Sequence, residues 1–128
     1  LGTRADVRRI SISGLEGTTY LDKTEGMRRK VRPDQPIAFS QETDQVHVNT
    51  EATCVIDDPV WNRRITIAKT GSLSTVVWNP WIEKAAAMPD FSPDEWQRMV
   101  CVETANVGEN AVTIDAGQSH VMTVTISL

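Results

Sequence analysis

Short runs in which apolar and polar residues alternate, each closed by a cluster of turn-forming residues, dominate this 128-residue chain. Successive side chains of an extended strand point to opposite faces, so alternation of period two marks strands with one buried and one open side. Alternating runs of this kind, together with short apolar strand-like runs such as those at 75–78 and 99–104, fall at residues 7–13, 37–40, 45–49, 53–56, 63–69, 75–78, 99–104, 111–114 and 119–127. Between them stand Gly14-Leu15-Glu16-Gly17, Pro33-Asp34-Gln35-Pro36, Gly71-Ser72 and Asp115-Ala116-Gly117-Gln118. Gly71-Ser72 has the chemistry of a tight hairpin turn joining 63–69 to 75–78, and Asp115 to Gln118 that of a turn between the last two strands. Many short strands at regular spacing, with turns between them, predict an all-β chain folded as an antiparallel β-sandwich.

Two intervals depart from the alternation. Residues 81–87 predict a short helix, and Ser92-Pro93-Asp94-Glu95, a capping serine followed by proline in the first helical position, predicts a second turn over 93–97. The basic stretch Arg28-Arg29-Lys30 with Arg32 reads as a solvated loop. No repeat or low-complexity linker divides the chain, so residues 1–128 are expected to form a single domain, long enough to bury a core unaided.

Composition narrows the partners. A formal charge of −4 argues against nucleic acid, whose phosphates reward clustered Lys and Arg. No apolar run approaches the roughly 18 to 20 residues that span a bilayer, so no membrane partner is expected. Cys54 and Cys101 lie in apolar runs without metal-ligand spacing and read as buried free thiols. With no secretory leader and no N-x-[ST] acceptor, they point to the cytoplasm. Walker, G-x-G-x-x-G and G-x-S-x-G motifs are missing from the sequence, and no cofactor or metal is expected.

One composite motif is far more specific than these patterns. Val76-Val77-Trp78-Asn79-Pro80-Trp81 is followed by Met88-Pro89-Asp90-Phe91 and then Met99-Val100-Cys101-Val102-Glu103. Upstream lie Glu42-Thr43-Asp44-Gln45-Val46-His47 and the segment from Gly14-Leu15-Glu16-Gly17 to Tyr20-Leu21-Asp22-Lys23. Together these resemble the hexose-6-phosphate mutarotases (glucose-6-phosphate 1-epimerases) of the galactose mutarotase superfamily. His47 departs from the family's usual tyrosine, and Ala116 stands where the family has proline before glycine. The resemblance runs along nearly the whole chain but covers only the C-terminal half of a typical member. A chain that opens on Leu1 and enters a strand pattern within a few residues fits such a cut.

Mutarotation needs a base at the anomeric hydroxyl and an acid at the ring oxygen, acting together. From spacing alone, a glutamate at the end of an apolar strand is a solvated residue. The resemblance instead implies that Glu103 is the base and that Asp44, otherwise a turn residue, hydrogen-bonds a sugar hydroxyl. Trp81 either packs or offers the pyranose a platform, Asn79 orients backbone near the sugar, and Trp78 is expected in the core. The family's acid is an upstream histidine. Neither His47 nor His120 matches its motif, and the phosphate-binding arginines are likewise expected in the missing half. Two functions stay open: the C-terminal part of an aldose or hexose-6-phosphate 1-epimerase, or a non-catalytic carbohydrate-binding or interaction module on that fold. The expected ligand is a hexose or hexose 6-phosphate. Half a sandwich exposes apolar faces and strand edges, so a homo-oligomer or a complementing N-terminal half is expected as partner.

Overall fold

The computed structural model describes residues 5–128. In chain order the elements are β1 (Ser11–Ser13), β2 (Thr19–Asp22), β3 (Arg28–Val31), β4 (Ile37–Ala38), β5 (Thr43–His47) and β6 (Cys54–Asp58). They continue with β7 (Arg63–Thr70), β8 (Ser74–Asn79), α1 (Trp81–Ala87), β9 (Cys101–Ala105) and β10 (Thr123–Ser127). Every pairing is antiparallel. The first sheet has the order β10-β7-β6-β1-β4 and the second β3-β2-β5-β8-β9, the two-sheet sandwich expected from the alternation.

The core lies between the sheets. Ile12, Ile56 and Ile67 reach it from the first sheet, Val77 from the second, and Leu15, Phe39 and Trp96 close it from the connections. Each such side chain contributes about 1.5–3 kcal/mol by leaving water. Within Val76-Val77-Trp78 only the middle residue is fully buried; its neighbours point the other way.

Several expected elements differ. Residues 7–9 form a 3-10 turn, capped by the Asp6 carboxylate accepting from the Arg8 N–H at 3.0 Å, and the strand begins only at Ser11. The basic stretch is not a loop. β3 hydrogen-bonds to β2 as a hairpin, and two of its three cations find carboxylates: Arg29 meets Glu109 at 2.9 Å and Lys30 meets Asp22 at 2.9 Å. An edge strand can be this polar because one margin and one face see solvent. Gly71 does not close a hairpin; it carries the chain from β7 in the first sheet to β8 in the second. Its φ is +72°, and a Cβ there would stand 2.0 Å from the Val121 carbonyl oxygen, so only glycine fits. Residues 111–114 form no strand and are exposed. The turn at Asp115 does form, with Gln118 N–H donating to Asp115 O at 3.0 Å, but it leads from a loop into β10, which pairs with β7.

Candidate functional site

β8 runs between β5 and β9, and its register sorts the candidate residues by face. Asp44 stands opposite Trp78 and Val46 opposite Val76; on the other side Val76 faces Glu103 and Trp78 faces Cys101. Directly opposed residues share one face of a sheet. Since Val77 points into the core, Asp44, Trp78 and Glu103 all lie on the outer face. The sequence therefore delivers two carboxylates and an indole to one surface by strand parity alone.

That surface is a depression of 480 Å³ floored by Leu21, Val46, Val76 and Trp78 and rimmed by Lys23, Asp44, Lys84 and Glu103. An apolar floor with a few convergent polar groups, at this size, suits a small organic ligand. Asp44 and Glu103 sit two strands apart, about 10 Å, and two residues apart along them, about 7 Å. That leaves room for one six-membered ring between the carboxylates. Asp44 is 9% exposed, and its Oδ2 lies 3.8 Å from Lys23 Nζ. Glu103 is exposed in the middle of β9, not at its end. Among the described residues no hydrogen bond or ion pair engages its side chain, which faces solvent. Burial, and then the Glu103 carboxylate, push the neighbouring Cys101 thiol up.

The other two candidates sit elsewhere. Asn79 faces inward and is fully buried. Its amide donates to Trp96 O and Met99 O, each at 2.8 Å, and its carbonyl oxygen accepts the Trp81 N–H at 2.9 Å. Those bonds hold the turn after β8, where Trp81 has φ +59°, a left-handed conformation unusual for a large side chain. Trp81 packs tilted against Trp96, ring centroids 4.5 Å apart and planes at 48°, and borders a different hollow, with Gln41, Glu42 and Lys84. Trp78, expected in the core, instead floors the depression. The alternating period could have assigned it there once Val77 was placed inside.

Neither histidine reaches the depression. His47 is on the inner face, wholly buried and stacked on Tyr20 at 5.1 Å. Its Nδ1 lies 2.7 Å from Thr18 Oγ1 and its Nε2 3.1 Å from Gln45 Oε1. Burial above all, then Arg32 and Lys69, lower its pKa to about 3, so the ring is neutral. His120 lies with its Nε2 2.7 Å from the Gly71 carbonyl oxygen, at the corner where the chain changes sheets.

Sheet order and surface chemistry define a sandwich with a sugar-sized, carboxylate-flanked hollow on one outer face. The profile of the family described as Aldose 1-epimerase matches residues 3–127, and the chain belongs to that family. It is 34% identical over 114 residues to a Cenchrus ciliaris protein named "Putative glucose-6-phosphate 1-epimerase", a match covering 89% of this chain and 34% of the relative. A Salmonella typhimurium protein of the same name is 35% identical over 99 residues, covering 77% of this chain and 33% of the relative. A crystal structure from Salmonella typhimurium, titled a "putative mutarotase", has a TM-score of 0.73 at 34% identity, over 80% of this chain and 34% of that one. The chain thus spans about a third of the length of the curated relatives it matches. Among the described residues, no helix is long and apolar enough to cross a membrane.

Proposed function

We propose that this chain supplies the base-bearing wall of an aldose or hexose-6-phosphate 1-epimerase site. The single observation that carries the reading is the convergence of Asp44 and Glu103 on one apolar-floored hollow beside Trp78. The sugar ring lies on the Trp78 indole, and Asp44 accepts a hydrogen bond from one ring hydroxyl. Glu103 removes the proton from the anomeric O–H. As that oxygen's electrons form the aldehyde C=O, the bond from C1 to the ring oxygen breaks and an acid protonates the departing oxygen. Rotation about the C1–C2 bond presents the other face of the aldehyde. Closure then runs the same transfers in reverse, Glu103 returning the proton.

The acid is not one of this chain's histidines in the reading, since both lie away from the hollow. It comes from a portion of the family fold outside these residues, and the phosphate ligands come with it. Asn79 acts from behind, bracing the turn between β8 and α1, and Trp81 packs with it. Both cysteines are free thiols, which suits a reducing compartment and a cytoplasmic setting.

The remoteness of both histidines also favours a second reading for the chain by itself: a carbohydrate-binding module without turnover. Two-dimensional exchange NMR on glucose 6-phosphate separates the two. The epimerase reading expects anomer exchange above the enzyme-free rate when the chain is mixed with the N-terminal portion of a family member, and its loss in Glu103→Gln. Sugar binding with no exchange in that mixture supports the module instead.

A further inference from the structure

Arg29, Leu21, Val46, Val76 and Glu103 stand in one row across the outer face of the second sheet, each opposite the next. Arg29 is on β3 and Glu103 on β9, the two edges of that sheet, four inter-strand spacings or about 19 Å apart. Residues 106–110 leave the end of β9 and run beside this row back toward β3. Val107 and Gly108 line the hollow on the way. At the far side the Glu109 carboxylate accepts two hydrogen bonds from the Arg29 guanidinium, at 2.9 and 3.2 Å. Four residues at about 3.3 Å each, with two long side chains, suffice for that crossing.

The segment is moored at both ends. At its start Asn106 Nδ2 donates to Gly71 O and the Val107 N–H to Ser74 Oγ, each at 3.2 Å, and Ser74 is wholly buried. At its end Asn49, just beyond β5, donates its backbone N–H to Asn110 Oδ1 at 3.0 Å and its side-chain amide to Glu109 Oε1 at 3.2 Å. Asn110 Nδ2 answers with a bond to Asn49 Oδ1 at 2.9 Å. Asn49 has φ +54°, a left-handed conformation that asparagine tolerates. The bonds at the end are all exposed, so each is individually weak and screened by salt. Gly108, with φ +57°, lies between the fixed start and this releasable end.

We propose that residues 106–110 are a strap along one side of the hollow, and that Arg29 and Glu109 are positioning residues that latch it so that Val107 and Gly108 wall the bound ring. The assignment rests on the hollow being the sugar site. Arg29 and Glu109 are not among the residues that line the hollow, so they act on the sugar through the strap. If the strap is latched for only a fraction of the time, the apparent affinity falls by that fraction. By linkage, bound sugar must then favour the latched state.

Two measurements on the full chain test the latch: hydrogen exchange without sugar, and titration of the isotope-labelled chain with glucose 6-phosphate. The variants are Arg29→Met, Glu109→Ala and the swapped pair Arg29→Glu with Glu109→Arg. In each single variant the amides of Val107, Asn110 and Ala111 should exchange about threefold faster or more, with β8 and β9 unchanged. Both should bind the sugar weaker by about the same factor, although one removes a positive charge and the other a negative one. The swap should recover most of both losses. Unchanged strap exchange in folded single variants overturns the proposal. So does faster exchange with unchanged affinity, which leaves the sugar reading standing. Affinity that falls in Arg29→Met but rises in Glu109→Ala reports plain attraction of the phosphate and overturns it too. A wild type whose strap is protected but which binds no sugar overturns the sugar reading, and the strap's role falls with it. Misfolded variants are covered by the wild type alone: bound sugar should slow exchange of the strap amides, and binding that leaves them unchanged overturns the latch.

Discussion

Replacing Asn79 by alanine removes one side chain but orphans three backbone groups: the carbonyls of Trp96 and Met99 and the N–H of Trp81. Asn79 is fully buried, so water cannot replace its amide without opening the structure. An unsatisfied buried polar group costs about 1–3 kcal/mol. The Trp96 bond is wholly enclosed and belongs at the upper end; the other two are partly shielded and belong near the lower end. Releasing Trp81 from its left-handed backbone returns about 1 kcal/mol. The net loss should be about 3–4 kcal/mol, a large share of the 5–15 kcal/mol typical of a domain. Urea unfolding followed by tryptophan fluorescence reads it directly. With a slope of about 1.5 kcal/mol/M the midpoint should fall by about 2 M. A loss below about 1 kcal/mol at unchanged slope would mean that the three groups are satisfied some other way and that Asn79 does not hold the turn.

Other expectations follow from single residues. Glu103→Gln should leave thermal stability within about 0.5 kcal/mol of wild type, because the side chain is exposed and unpartnered, while lowering any anomer exchange about a hundredfold or more; a large drop in melting temperature would show a structural role. His47 is held neutral, with a pKa of about 3 against an ordinary value of 6.5. The unfolded chain therefore takes up a proton that the folded chain refuses, and stability should be complete above pH 6.5 and fall as pH drops toward 3. His47→Gln should flatten that part of the pH–stability curve, and an unchanged curve would contradict the assignment. Gly71→Ala should cost about 1–3 kcal/mol, from the clash with the Val121 carbonyl and the positive φ. Hydrogen exchange should then show β10 loosening first, and uniform loosening would argue against a local clash.

Much of the fold was legible because strand alternation is a direct imprint of burial. The apolar run Val76-Val77-Trp78 marks its own strand, and β5 to β9 fall close to where the sequence puts them. What alternation cannot give is partnership. Gly71-Ser72 has hairpin chemistry, yet the strands it joins belong to different sheets, and only the close approach of Val121 explains the glycine. The β2–β3 hairpin was hidden by Arg28-Arg29-Lys30, whose polarity suits an edge strand as well as a loop. Residues 111–114 have strand-like composition but form no strand and are exposed. The site divides in the same way. Asp44 and Glu103 were singled out by motif, and the register brings them to one hollow. Asn79 is expected to orient backbone near the sugar and Trp81 either to pack or to offer a platform; parity sends Asn79 inward and the left-handed turn carries Trp81 onto Trp96. Trp78, not Trp81, lines the hollow between Asp44 and Glu103.

Whether the outer face of the second sheet receives a sugar can be read by titrating the isotope-labelled chain with glucose 6-phosphate and following the tryptophan indole signals. The Trp78 indole should shift together with the amides around Asp44 and Glu103, while Trp96 stays still. Shifts centred on Trp81 and Trp96, or none at concentrations that saturate related proteins, would contradict a sugar site on that face.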